Sequence, residues 1–212
     1  MTTETLTRVS IALEAVCNTE ECPRFAWRLH NQLKAGYEVC SVLPAQSLSD
    51  WRAQHRTARK RADRAERLGY RFAEIKREEY DNDIFEINTS LDMRQGRPMS
   101  AAYRERVHYL PLPESACEHH AIKTYGVIND RGTLVAYLWL YRSGELALVS
   151  SILGHGEYLA DDIMYLLFQG VLEAQGSLGG YFVYNRADSG TEGLRYFKSK
   201  LGFVPMEVMW EL

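Results

Sequence analysis

The stretch that most limits what this chain can fold into is Leu146-Ala-Leu-Val-Ser-Ser-Ile-Leu153, closed by Gly154-His155-Gly156. An apolar, β-branched run of this length between turn signals reads as a strand covered on both faces. Beyond Glu157, apolar residues recur at Leu159, Ile163, Leu166, Leu167, Gly170, Val171 and Ala174. That is the spacing of a helix burying one stripe. Asp161 and Asp162 are expected in its first turn, where the helix dipole favours acids. Gly179-Gly180 then leads into Tyr181-Phe-Val-Tyr184, a second strand. Strand, turn, helix and parallel strand hold a small ligand at the carboxyl ends of the strands, and the site is expected there. Thr191 can cap a final helix carrying Leu194, Tyr196, Phe197 and Leu201 and stopped by Gly202. Phe203 to Leu212 reads as an edge strand opened by Pro205.

The ending Phe197-Lys198-Ser199-Lys200-Leu201-Gly202-Phe203 resembles the last helix of the GNAT (GCN5-related N-acetyltransferase) superfold. Where acetyl-CoA users of that superfold carry Tyr, four residues before the glycine, this chain has Lys198. In that feature it is similar to FemAB-like aminoacyltransferases. The wider run Asn185-Arg186-Ala-Asp188-Ser-Gly190-Thr-Glu192-Gly193-Leu-Arg-Tyr196-Phe-Lys198 is similar to the same branch. The resemblance covers roughly residues 50–212 and implies an α+β fold in α/β/α layers, with a mixed, mostly antiparallel sheet flanked by helices. Residues 49–212 are then the acyltransferase domain, and residues 1–48 an extension packed on it.

Physical chemistry points away from ordinary CoA binding at the first turn. A pyrophosphate at a helix start needs free backbone N–H groups and a cation. No Lys or Arg occurs from Ser143 through Asn185, and the helix start offers Glu157, Asp161 and Asp162 instead. Gly154 and Gly156 still permit a close backbone approach by a donor. A donor without a phosphate at that point, or with one placed differently, remains open.

The 212 residues suit one domain with a small extension, and 46% hydrophobic with 25% charged residues is ordinary for a globular chain. A net charge of −3 gives no global attraction to nucleic acid. No apolar run is long enough for a signal peptide core or a membrane span, so a soluble, cytoplasmic protein is expected. Four cysteines, Cys17, Cys22, Cys40 and Cys117, fit reduced thiols better than a disulfide framework. Cys17-x4-Cys22 is a metal half-site with no second pair at zinc spacing, and Cys117-Glu118-His119-His120 lacks a fourth partner. On ligand counting no metal is expected. Two helices are expected in residues 1–36, on Leu6, Val9, Leu13 and Val16 and on Phe25, Ala26, Leu29 and Leu33, separated by Pro23. Tyr37 to Leu43 alternates like a strand.

Trp51 to Arg71 carries Arg52, Arg56, Arg59, Lys60, Arg61, Arg64, Arg67 and Arg71 against only Asp63 and Glu66. Trp51, His55, Ala58, Ala62 and Ala65 form a narrow stripe, so one helix is expected to pack by its alanines and turn cations outward. The face is either solvated or an interface for a phosphate backbone, through Arg52, Arg56, Arg59, Lys60 and Arg64. The resemblance adds that FemAB-like proteins carry a similar basic helix, many of them taking an amino acid from charged tRNA. Arg71 to Ile75 reads as a strand, Ile84 to Ile87 as helix, and Pro111-Leu112-Pro113 as a linker. Lys123 to Ile128 and Thr133 to Tyr141 form a hairpin about Asn129-Asp130-Arg131-Gly132, and Ser143-Gly144 turns into the central strand.

Acyl transfer to an amine needs a deprotonated amine, a polarised carbonyl and a protonated leaving group. His155, in the turn after the central strand, is expected as the base, the role for which imidazole is the suited side chain near neutral pH. Lys198 is expected to steady negative charge, with Tyr184 and Tyr196 as alternative acids. Arg94 and Arg97, flanking Gly96, can clamp a carboxylate or phosphate. Asn185, Arg186, Asp188 and Glu192 are expected at the acceptor. Each has a plainer alternative as a cap, a core residue or an exposed side chain. The expected function is transfer of an aminoacyl or acyl group to an amine, from aminoacyl-tRNA, with no tightly bound cofactor. The alternatives are an acyl-CoA-dependent N-acetyltransferase and a nucleic-acid-binding or DNA-base-modifying protein of the same fold.

Overall fold

The hairpin signals become the middle of one large sheet in the computed structural model, which describes residues 6–15, 17, 21–44, 48–106, 117–175 and 180–212. Val16, the Pro111-Leu112-Pro113 linker and Gly179 lie outside those residues. In chain order the elements are β1 (Thr7–Ala12), α1 (Glu21–Lys34), β2 (Val39–Pro44), α2 (Leu48–Gln54), α3 (Arg56–Arg67) and β3 (Arg71–Glu74). There follow α4 (Asp81–Thr89), β4 (Met93–Arg94), β5 (Arg97–Pro98), β6 (His120–Ile128), β7 (Leu134–Ser143) and β8 (Leu146–Gly154). The chain closes with α5 (Ile163–Gln175), β9 (Tyr181–Arg186), α6 (Glu192–Lys200) and β10 (Val204–Glu211).

Eight strands lie in the order β1-β10-β2-β9-β8-β7-β6-β3. Only β1/β10 and β8/β9 are parallel pairs. Asn129 fixes the β6–β7 turn by accepting from the N–H groups of Arg131 and Thr133, each at 3.0 Å. Helices cover both faces. On one, Ala58, Ala62 and Ala65 of α3 and most of α5 pack with Val127, Leu138, Leu140, Val149 and Phe182. On the other, α1 packs over Val42, Leu148 and Val183, and α4 over Ile128 and Tyr137. The α/β/α layering is the one expected.

Several expectations are corrected by tertiary contacts. The pattern on Leu6, Val9 and Leu13 forms β1, because Val9 and Ile11 alternate against the parallel partner β10. Pro23 lies inside the first turn of α1, where its missing N–H has no helical partner to lose. β10 is not an edge strand: it sits between β1 and β2, and β1 begins opposite Met206, one residue past Pro205. Two strands from residues 1–48 belong to the main sheet, with β2 filling the gap between β9 and β10.

The basic segment is two helices broken at His55. Trp51 explains the join: it is fully buried and donates its indole N–H to Leu201 O at 2.9 Å, tying α2 to the end of α6. Truncating it to Ala should cost about 3–5 kcal/mol. The helix expected after Gly156 is a 3-10 turn over Gly156–Asp161, then Asp162 at φ 65°, then α5. α5 is buried on nearly all sides rather than along one stripe, and its Ala174 faces outward.

Candidate active site at the parting of two parallel strands

β8 and β9 pair only through Leu146↔Tyr181, Ala147↔Phe182 and Leu148↔Val183. On its other side β8 carries a bulge: Val149 pairs with Leu140 and Ser151 with Trp139, leaving Ser150 as the extra residue. A bulge bends a strand and ends regular pairing. From Val149 onward no described strand pairs with β8 on the β9 side, so backbone N–H and C=O groups of that edge face the gap.

Two adjoining cavities fill the gap, of about 270 Å³ and 300 Å³. They share Arg94, Gln95, Ile152, Leu153, Tyr184 and Leu194. The first is apolar, walled by Leu91, Met93, Leu159, Met164 and Phe197. The second is polar, with Arg97, Tyr103, Ser150, Ser151, Asn185 and Ser189. The β4–β5 hairpin roofs both, turning on Gln95 at φ 52° and Gly96 at φ 71°. Its tip meets the start of α6, where a Cβ on Gly96 would touch the Thr191 methyl at 3.5 Å.

Lys198, 3% exposed, points inward from α6. Its ammonium donates to Ser41 Oγ, Arg186 O and Ser189 Oγ, each at 3.2 Å, and lies 4.8 Å from the Tyr184 ring centroid. Burial pushes its pKa down to about 8, while Cys40 and Asp188 pull the other way. Three acceptors match the three donors of an ammonium, so Lys198 is a fixed charge behind Ser189 and lines neither cavity. Tyr184 lines both cavities, and its hydroxyl makes no hydrogen bond to another described residue. Burial holds its phenol well above the ordinary range, so it stays protonated at neutral pH.

The two hairpin arginines differ. Arg94 is spent on the fold, donating to Gly154 O at 2.9 Å, Ile87 O at 2.8 Å and Ser90 Oγ at 3.0 Å. Arg97 is exposed at the rim of the polar cavity and is the one placed to meet an anion. Asn185, at φ 60°, lines the same cavity but accepts from the Arg186 N–H at 2.7 Å.

The remaining candidates fall elsewhere. His155 lines neither cavity; its Nδ1 accepts from the Glu157 N–H at 3.3 Å, and its ring meets Tyr158 at 5.2 Å. Tyr196 is 54% exposed, with Lys200 over its ring. Arg186 and Asp188 pair with each other at 2.9 Å beside a separate surface hollow, and Glu192 is exposed. Gly154 lines the apolar cavity, whereas the N–H of Gly156 donates to Ser90 Oγ at 2.9 Å and is taken. Gln95, Tyr103, Ser150, Ser151 and Ser189 were missed as cavity-lining residues; the signal for one pair was there, since two hydroxyls interrupt the apolar run 146–153 at the bulge.

The cationic face of α2 and α3 is smaller than the charge count suggests. Arg52 pairs with Asp63 at 2.7 Å and Arg59 approaches the same carboxylate at 3.9 Å. Arg64 and Arg61 reach Asp162 at 3.0 and 3.3 Å, and Tyr70 donates to Asp161 at 2.8 Å. The acids at the start of α5 are thus neutralised by α3. Arg56 and Lys60 are exposed.

The two half-motifs that lie far apart along the chain come together in the fold. Cys17, Cys22, Cys117 and His120 converge, their ligand atoms all within 4.8 Å of one another. Each motif supplies the partners the other lacks.

No protein-family model and no curated protein sequence matches the chain. Solved structures do. FemX superposes with a TM-score of 0.61 at 10% identity, over 80% of this chain and 60% of FemX. The fold is GNAT-like, of the FemX kind. The C-terminal domain of a protein assigned as a lysylphosphatidylglycerol synthetase from Agrobacterium fabrum matches with a TM-score of 0.52 at 12% identity, over 94% of this chain and 75% of that one. A conserved protein of unknown function from Bacteroides thetaiotaomicron gives 0.50 at 13%, over 84% and 63%. The chain spans less than two thirds of FemX. No helix among the described residues is long and apolar enough to cross a membrane.

Proposed function

We propose that the gap between β8 and β9 transfers an aminoacyl or acyl group to an amine, with aminoacyl-tRNA as the donor. The observation that carries this reading is the parting of β8 and β9 into a cleft with one dry and one polar half, in a fold shared with FemX. An acyl side chain suits the apolar cavity and an amine the polar one. The amine nitrogen attacks the ester carbonyl, a C–N bond forms and the C–O bond to the ribose breaks. The proton lost by nitrogen balances the one gained by the leaving hydroxyl. Backbone N–H groups on the free edge of β8 support the oxyanion, and the Tyr184 hydroxyl, unbonded among the described residues, donates toward it or the leaving oxygen. Lys198 adds positive charge from behind.

Support for a donor other than acyl-CoA comes from the turn after β8. Its N–H groups at Gly156 and Glu157 are already bound, and the acids at the start of α5 stand where a pyrophosphate would lie. The exposed Arg56 and Lys60 support contact with a tRNA backbone. The four cysteines form no disulfide with one another, which supports a reducing, cytoplasmic setting.

The test incubates the chain with a labelled pool of aminoacyl-tRNAs, or with acyl-CoAs, and a panel of small amines, and follows label into the amine. Transfer from aminoacyl-tRNA is expected. Transfer from acyl-CoA alone would overturn the choice of donor, and none from either would overturn the reaction. Binding of uncharged tRNA should lose about one to two counterions of salt dependence in Arg56→Ala/Lys60→Ala.

A further inference from the structure

We propose a structural zinc site of three cysteines and one histidine, Cys17, Cys22, Cys117 and His120, at the end of the sheet opposite the cleft. The ligands come from the segment after β1, the first turn of α1 and the entry to β6. Cys17 Sγ lies 2.9 Å from Cys117 Sγ and 3.1 Å from His120 Nδ1, and Cys117 Sγ lies 3.7 Å from the same nitrogen. A tetrahedron with zinc–sulfur bonds of about 2.3 Å has edges of roughly 3.8 Å, which falls within the range spanned here, from 2.9 Å to no more than 4.8 Å. Cys-x4-Cys lies within the zinc-ligand range, and His120 follows Cys117 by three.

The surroundings prepare the histidine for metal. Its Nε2 lies 3.0 Å from Leu13 O. A carbonyl only accepts, so Nε2 carries the proton and Nδ1 turns its lone pair toward the sulfurs. Ser143 Oγ donates to the same carbonyl at 2.7 Å, fixing it in turn. Phe25 packs edge-on against the imidazole at 6.3 Å, and Cys22 and His120 are only 3% and 2% exposed. A disulfide would use two of the thiols and give the oriented imidazole no task. A multi-iron cluster would spread its ligands over several metals and hold them farther apart. Four protein ligands close the tetrahedron, which is the structural rather than the catalytic pattern. Binding one Zn²⁺ releases three thiol protons and leaves a site of net charge −1. Because His120 pairs with Ser143, and Ser143 with Leu146, the site clamps the amino end of β8 while the cleft opens at its carboxyl end.

The full untagged chain, purified with reductant and incubated with zinc, is expected to keep one equivalent after desalting. Strong chelation should lower its Tm, and zinc should restore it. Cobalt in place of zinc should give thiolate charge-transfer bands and the intense visible bands of a tetrahedral ion. Cys117→Ala and His120→Ala should lose the metal, while Cys40→Ala keeps it. If those variants do not fold, the cobalt spectrum of the unaltered chain decides. Substoichiometric zinc, an octahedral cobalt spectrum, or a mass two hydrogens short from a disulfide would each overturn the site.

Discussion

Two turns leave the carboxyl ends of the paired parallel strands, and their electrostatics are opposite. The turn after β8 ends in Asp161 and Asp162, held by Arg61, Arg64 and Tyr70. The turn after β9 is held from within by Lys198, which bonds Arg186 O and Ser189 Oγ. The first turn is closed to a phosphate, since its backbone donors are used and its acids already have cations. The second presents a polar cavity backed by a buried positive charge. Under the proposed reaction, negative charge developing in the cleft would be met from the β9 side.

The sharpest way to break this contrast is Tyr184→Phe. The hydroxyl has no hydrogen-bond partner among the described residues to lose, so Tm should hardly move while kcat falls about 100-fold. Equal losses in Tm and turnover would make the tyrosine a packing residue. Next comes Lys198→Met, expected to lower kcat about tenfold. It carries a pH signature as well. The folded-state pKa is about 8 against an ordinary 10.5, so between those values the unfolded chain binds more protons and stability rises with pH. Below pH 8 the cost of burying the charge is fully present. Urea unfolding of the wild type minus the Met variant should therefore shift in the wild type's favour as pH rises through that window. A flat difference would mean that the ammonium is not desolvated.

Asp162→Asn probes the other turn by charge alone, because Asn also tolerates a positive φ. A loss of about 1 kcal/mol in urea unfolding is expected from the two arginine contacts. An unchanged stability would show the pairs to be idle. The smallest effect belongs to His155→Ala. Its one turn hydrogen bond is worth about 0.5 kcal/mol, and the pH–rate profile should not change. A lost limb in that profile would return His155 to the role of base.

The strand run 146–153, the hairpin at Asn129 and the alanine stripe of α3 were all legible, since each rests on local periodicity or turn chemistry. Tyr184 and Asn185 stood out by their place at the carboxyl end of a parallel strand and Arg97 by its Gly-Arg-Pro turn, and all three line the polar cavity. His155 and Tyr196 misled because a turn or helix position names a residue without saying which way it faces: Tyr196 projects from α6 next to Phe197, which enters the cleft. The meeting of Cys17 and Cys22 with Cys117 and His120 was not legible because ligand spacing was sought within one stretch of chain.

The sequence alone determined the parallel β8–α5–β9 unit and the end of the sheet at which the cleft opens, because these follow from short-range periodicity and connection rules, while the layers were implied by the family resemblance. Only the tertiary structure decided that Arg61 and Arg64 spend their charge on Asp162, that Lys198 is buried against Ser41, and that Cys17 and Cys22 meet Cys117 and His120. Those pairings join residues 95 (Cys22 and Cys117) to 157 (Ser41 and Lys198) positions apart. Charge and ligand chemistry depend on distance in space, and spacing along the chain carries no measure of that.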